Sequence, residues 1–208
     1  MRVITVLEGM AEYYLLSTLK EKLGLRNLEI KRPEVNSKLG SGTLYARIEA
    51  ALNTSEAEAV LIVCDAESEM ADRVWSRIRA KLSLPEKSPL PTNGYIGRAG
   101  NGRQVGVWIM PNNRDAGMIE DLYLRAIPAD DRELQLASDF VHGLERPKFA
   151  KEDPDATRRA YSKATLTVWL GIQPEPAMPG EALRRGYIRH DAQALAPLCD
   201  WLREFAQA

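Results

Sequence analysis

An α/β fold, with a mainly parallel sheet flanked by helices and a helical extension on its C-terminal side, is predicted by three observations. Apolar, β-rich runs alternate with segments of helical periodicity through residues 1–128, the connections between them are short, and from about Asp130 the strand signal stops while helical periodicity continues. Short connections between alternating strands and helices favour right-handed crossovers, which place helices on both faces of a parallel sheet.

Each element follows in order. Val3 to Leu7 is an apolar run closed by Glu8-Gly9, and "MAEYYLLSTLKEKLG" then carries Ala11, Tyr14, Leu15, Leu19 and Leu23 at helical spacing up to Gly24. "NLEIKRPEV" reads as a second, weaker strand, "VNSKLGSGT" as a loop and "LYARIEAALN" as a helix. "AVLIVCDAE" is a continuous apolar run, as expected of a strand buried on both faces, and "SEMADRVWSRIRAKL" returns to helical periodicity. The Pro-rich "LSLPEKSPLPTNG" reads as a loop, "GRQVGVWIMPNN" as a strand stopped by Pro111, and "AGMIEDLYLRAI" as a helix after a Gly-containing turn. Residues 129–208 are expected to add the helices "DRELQLASDFVHGLE", "DATRRAYSKATLTVWLGI" and "DAQALAPLCDWLREFA", with "QPEPAMPG" as a loop, packed on the sheet domain of residues 1–128.

A chain of 208 residues, 45% hydrophobic, can bury a core without staples. The two cysteines, one in an apolar run and one on a C-terminal helix, suggest neither a disulfide framework nor a zinc cluster. "MRVITVLEG" reads as a strand rather than a leader, and no apolar run approaches the ~18 residues of a membrane span. A soluble protein of the reducing cytoplasm, without membrane contact, is expected. With 28 basic and 29 acidic residues the formal charge is -1, so any binding of nucleic acid must rely on local patches or metal ions.

Position is what makes certain acids informative. Glu8 and Asp65 each end a strongly apolar strand, and in a parallel sheet such ends line one edge, where ligands bind. Glu67 follows two residues after Asp65, and Glu12 lies one helical turn beyond Glu8. Clustered carboxylates repel unless a cation neutralises them, and hard oxygen ligands suit Mg²⁺ or Mn²⁺. The bland alternative for each acid is a turn residue or a first-turn helix charge.

"VLEGMAEYYLL" followed by "VLIVCDAESE" resembles the two signature motifs of TOPRIM domains, an acid-Gly turn after the first strand and a paired-acid motif after a later one. "IMPNNRDAGMIEDL" extends the likeness to the TOPRIM half of OLD-like (overcoming-lysogenization-defect) nucleases and a related stand-alone family, over nearly the whole chain. The resemblance implies that Glu8 and Glu12 match the first motif's acids, Asp65 and Glu67 the paired acids, Glu120 the later acid, and Lys163 a lysine that follows on a C-terminal helix. Glu12 and Glu67 stand where the family more often has Asp, and Met118 where a small hydroxyl residue is common.

What the resemblance implies is a nuclease acting on DNA or RNA with two Mg²⁺ or Mn²⁺ ions held by Glu8, Glu12, Asp65, Glu67 and Glu120, and with Lys163 offsetting charge on the phosphate. The alternative is a non-catalytic module that binds metal or nucleic acid and works with a partner protein such as an ATPase. The remaining candidates have simpler readings. "KLGSGT" lacks the Gly-Lys-Ser/Thr ending of a P-loop and reads as a plain loop. His142 and His190 show no ligand spacing, Trp108, Trp169 and Trp201 fill the core, and Arg158, Arg159, Arg184, Arg185 and Arg189 are either a basic rim or solvated helix charges.

Overall fold

The computed structural model describes residues 2–30, 41–54, 58–144 and 153–208, the side chains of residues 41–43 excepted. Four strands form one sheet in the order β1-β2-β4-β3: β1 (Val3–Leu7), β2 (Ala59–Asp65), β3 (Tyr95–Arg98) and β4 (Gln104–Met110). β1, β2 and β4 run parallel, and β3 closes one side antiparallel to β4.

The apolar runs explain this order. β2 lies between two strands and under helices on both faces, and all of its residues from Ala59 to Cys64 are buried. Only a run without polar positions tolerates that place, whereas a strand with one wet face would alternate. Side-chain parity then sorts two cores. Ala59, Leu61, Val63, Trp108 and Met110 face one layer, with α1 (Met10–Lys22), α4 (Ile119–Ala126), α6 (Pro154–Gly171) and α7 (Ala196–Gln207). Val60, Ile62, Cys64, Val105, Val107 and Ile109 face the other, with α2 (Ser41–Asn53) and α3 (Ala71–Lys81). The result is a three-layer α/β/α stack. The further helix α5 (Arg132–His142) packs on α6 and buries only Ala137 and Val141 of its own residues.

Three expectations from the sequence need correction. β3 lies in the stretch left unassigned between the segment read as loop, which ends at Gly94, and the next expected strand, because four residues containing Gly97 give no periodic signal. Residues 27–30, the start of the expected weaker strand "NLEIKRPEV", are not strand, and the rest of it lies outside the described residues. α2 begins at Ser41, inside the expected loop "VNSKLGSGT", whose residues 35–40 are likewise outside the described ones.

Past residue 129 every regular element among the described residues is helical, and these helices complete the first core rather than forming one of their own. α7 turns Leu198, Trp201, Leu202 and Phe205 inward, each worth roughly 1.5–3 kcal/mol on burial. Its Trp201 Nε1 donates to the Tyr95 carbonyl at 3.2 Å, and Asn27 donates to the Ala206 carbonyl at 2.8 Å. Phe205 lies over Gly106 of β4, where a Cβ would come within 2.7 Å of its ring. Both cysteines are free and buried, and Trp108, Trp169 and Trp201 are core residues. No helix among the described residues is long and apolar enough to cross a membrane.

Gly94 precedes β3 at φ 85°, with the Trp201 ring 2.5 Å from where a Cβ would stand. Gly94→Ala should therefore combine left-handed strain with overpacking and lower stability by about 1–3 kcal/mol. Urea titration followed by tryptophan fluorescence checks this; an unchanged midpoint would contradict the close packing of α7 on the sheet.

Candidate metal centre

The parallel register of β1 and β2 pairs Leu7 with Val63, so Glu8, just beyond β1, emerges beside the end of β2 at Asp65. There the Asp65 N–H donates to Glu8 Oε2 at 3.3 Å. The chain then turns through Ala66, and Glu67 takes a left-handed φ of 59°. A non-glycine residue holds such a conformation at a cost on the order of 1–3 kcal/mol, sustained only where its surroundings fix it. Here the Glu67 N–H donates to the Gly117 carbonyl at 2.8 Å, tying the turn after β2 to the turn after β4. Gly117 is itself required, since a Cβ would meet Asp121 Oδ2 at 2.7 Å. In consequence one carboxylate oxygen from each of Glu8, Asp65 and Glu67 lies within 4.8 Å of the others. These acids meet at the ends of two neighbouring strands.

A second tier lies behind them. Glu12 occupies the buried face of α1 in register with Leu15, Leu16 and Leu19, is 3% exposed, and accepts the Gly9 N–H at 2.8 Å. Glu120 sits in the first turn of α4. Its Oε1 lies 3.7 Å from Lys163 Nζ, while its Oε2 is buried without a partner among the described residues. Asp65 Oδ1 accepts the Ile119 N–H at 3.0 Å, so the N-terminus of the same helix holds this carboxylate in place.

The charges of all five acids act on one another. Glu8 is solvent-exposed as a residue, yet desolvation of its carboxyl by surrounding protein, followed by the charges of Glu12 and Glu67, pushes it from 4.5 up to about 7 against the opposing Asp65 hydrogen bond. Burial raises Asp65 well above the carboxylate range, and Glu12, Glu8, Glu120 and Glu67 add to it. Glu12 is raised by burial and by Glu120, with the Gly9 N–H and Lys163 opposing. The Cys64 thiol behind them is also held protonated, by burial and then by Glu8 and Asp65. An opposite charge among the carboxylates of this cluster would favour their ionised forms.

Cations ring it. Arg159 Nε is 3.0 Å from Glu67 Oε2, and Lys163, one turn further along α6, reaches Glu120. Arg158 donates to the Glu67 carbonyl at 3.4 Å and lies 3.8 Å from Asp121. Asp121 also accepts the Met118 N–H at 2.8 Å and the Ser162 hydroxyl at 2.7 Å, so it fastens α4 to α6. Of the arginines read as a rim, Arg158 and Arg159 meet the acids, whereas Arg184, Arg185 and Arg189 pair with Glu181, Glu175 and Asp191. The side chain of Met118 is buried at the entry to α4.

Sequence reasoning missed Tyr123, whose buried hydroxyl has no partner among the described residues and is kept protonated by burial and by Glu12 and Glu120. Its spacing from Glu120, one turn along the same helix, is the only trace it leaves in the sequence. Ser162 was equally invisible, being a serine in the middle of a helix.

The fold and site define a three-layer α/β protein with a carboxylate cluster at the carboxyl edge of its parallel strands and a cationic helix beside it. The chain belongs to the family described as protein of unknown function (DUF3226), whose model matches residues 2–207 and so includes every acid named above. No curated protein and no solved structure matches the chain.

Because Glu8, Asp65 and Glu12 hold protons more tightly in the folded state than in the unfolded chain, the folded protein binds more protons over the window in which Glu8 shifts, about 4.5 to 7. Stability contributed by that difference is present at low pH and is lost as pH rises through the window. Without divalent ions, the melting temperature should fall between pH 5 and pH 8, and Glu8→Gln should flatten the decline. Identical profiles for the two proteins in differential scanning calorimetry would contradict the assignment.

Proposed function

We propose that the chain is a TOPRIM-type protein of the OLD-like kind, which binds Mg²⁺ or Mn²⁺ at the acid cluster and hydrolyses phosphodiester bonds of DNA or RNA. The convergence of Glu8, Asp65 and Glu67 within 4.8 Å carries this reading. The donor set fits a hard divalent cation: all ligand atoms are carboxylate oxygens, burial and then the neighbouring negative charges raise the protonation of Glu8 and Asp65, and Glu120 Oε2 is buried without a partner among the described residues. Glu8, Asp65 and Glu67 would hold one ion, and Glu12 with Glu120 would serve a second. Bound there, divalent ions supply positive charge to phosphate oxygens and make water a better nucleophile at neutral pH.

The chain's own groups account for the rest. Lys163 stands beside Glu120 with its side chain half-exposed, where it can meet a phosphate oxygen that gains charge as the bond breaks. Arg159 on the same helix face and Arg158 beside it add charge and can orient the backbone of a polyanion. The Glu67–Gly117 bridge and the Ile119–Asp65 hydrogen bond keep two of the acids in place before any substrate arrives.

One observation favours a second reading. Arg159 already neutralises Glu67, which suits a non-catalytic module that binds metal or nucleic acid and acts with a partner such as an ATPase.

Isothermal titration with Mn²⁺ and cleavage assays on plasmid, single-stranded DNA and RNA separate the two. Asp65→Asn should abolish both metal binding and cleavage. Lys163→Met should keep metal binding and lower kcat by about 10²–10³-fold, as expected for loss of one charge-stabilising donor. Metal binding with no cleavage of any substrate would favour the module, and no Mn²⁺ binding at millimolar concentration would remove the nuclease reading and the metal-binding form of the module.

A further inference from the structure

Beside the acid cluster, α4, α5 and α6 enclose a pocket of about 300 Å³ that the metal chemistry leaves unused. We propose that it takes one unpaired nucleobase next to the phosphate held at the acids, so that the protein acts on single-stranded nucleic acid. The proposal rests on the phosphodiester reading of that site.

Its walls suit a flat, amphipathic ring. Leu124 and Leu134 supply apolar surface. His142 and Tyr161 already stack on each other across α5 and α6, with ring centroids 4.8 Å apart and planes inclined by 16°. Base–aromatic stacking tolerates any sequence because every base presents a π-face. The polar groups are few and oriented. His142 Nδ1 must donate to the Ser138 carbonyl, 2.8 Å away, since a carbonyl only accepts, and this leaves Nε2 for a base edge. Ser162 gives its proton to Asp121 and so keeps its oxygen as an acceptor for an exocyclic amine or ring N–H.

Arg158 connects this pocket to the acids. It lines the pocket, touches the Glu67 carbonyl at 3.4 Å, and is only loosely paired with Asp121 at 3.8 Å. A guanidinium there can meet the phosphate between a base in the pocket and the acid cluster. Helical spacing on α6 builds the whole arrangement: Arg159 and Lys163 turn to the acids, while Arg158, Tyr161, Ser162 and Thr165 line the pocket. At the lower end of small-ligand pocket volumes, the space is on the scale of one base.

The test uses the full chain with Ca²⁺ and two fluorescein-labelled probes read by anisotropy: an eight-nucleotide oligothymidylate and an octamer of the same backbone lacking bases. The wild type should bind the oligothymidylate at least about tenfold more tightly than the abasic octamer. Tyr161→Leu and His142→Ala should each erase most of that difference while leaving abasic binding unchanged; His142 is exposed, so its variant keeps the test open if Tyr161→Leu fails to fold. Equal affinity for the two probes, or base preference untouched in both variants, overturns the proposal. Mn²⁺-dependent cleavage of the oligothymidylate is scored separately. Base-selective binding without cleavage would sink the nuclease reading and leave the subsite standing, whereas cleavage without base selectivity would do the reverse.

Discussion

The parallel pairing of β1 with β2 is the constraint on which the site depends. Leu7 opposite Val63 sets the offset of the two strands, so that Glu8, just beyond β1, comes beside Asp65, the last residue of β2. A slip of one residue would turn Asp65 from the α4 side toward α2 and α3 and break its bond to the Ile119 N–H. The register is strongly specified because β2 is buried on both faces, so any shift would move a whole apolar set into the wrong core. The hydrophobic interior thereby sets the positions of charges that, left to themselves, would separate.

Tension between those charges is contained by the helical layer. α6 contributes an arginine and a lysine one turn apart to the acids, and α4 contributes both an acid and an N-terminal peptide dipole. The two cations pair with Glu67 and Glu120, and Asp65 between them is raised by burial and by the surrounding acids. Asp121, left outside the acid group by reasoning from the sequence, proves to be the fastening between the two helices. Its placement makes the geometry of the cationic rim a property of the α4–α6 contact.

Continuous apolar runs made β1, β2 and β4 legible in the sequence, and amphipathic periodicity did the same for the helices. Glu8, Asp65 and Glu67 were legible because acids at strand ends stand out against apolar runs. Glu12 was placed only by its position one helical turn beyond Glu8, and Glu120 and Lys163 came only through family likeness. On position alone, Glu12 is a helix acid, and what distinguishes it is that it shares a buried face with Leu15, Leu16 and Leu19. β3 was lost because a short antiparallel strand beside prolines carries no period. Tyr123 and Ser162 were lost because their roles depend on which helix lies opposite, a tertiary fact with no local trace.

α7 carries one more implication. Its bonds join residue 201 to Tyr95 and residue 206 to Asn27, spans of 106 and 179 positions along the chain. Contacts that distant require large loops to close before any burial compensates, and chains dominated by such contacts fold slowly. Until α7 docks, the face formed by Gly106 and Trp108 lacks the cover that Phe205 and Trp201 give it. Competition between docking of α7 and capture of this surface by another chain would then govern how much native protein a cell recovers.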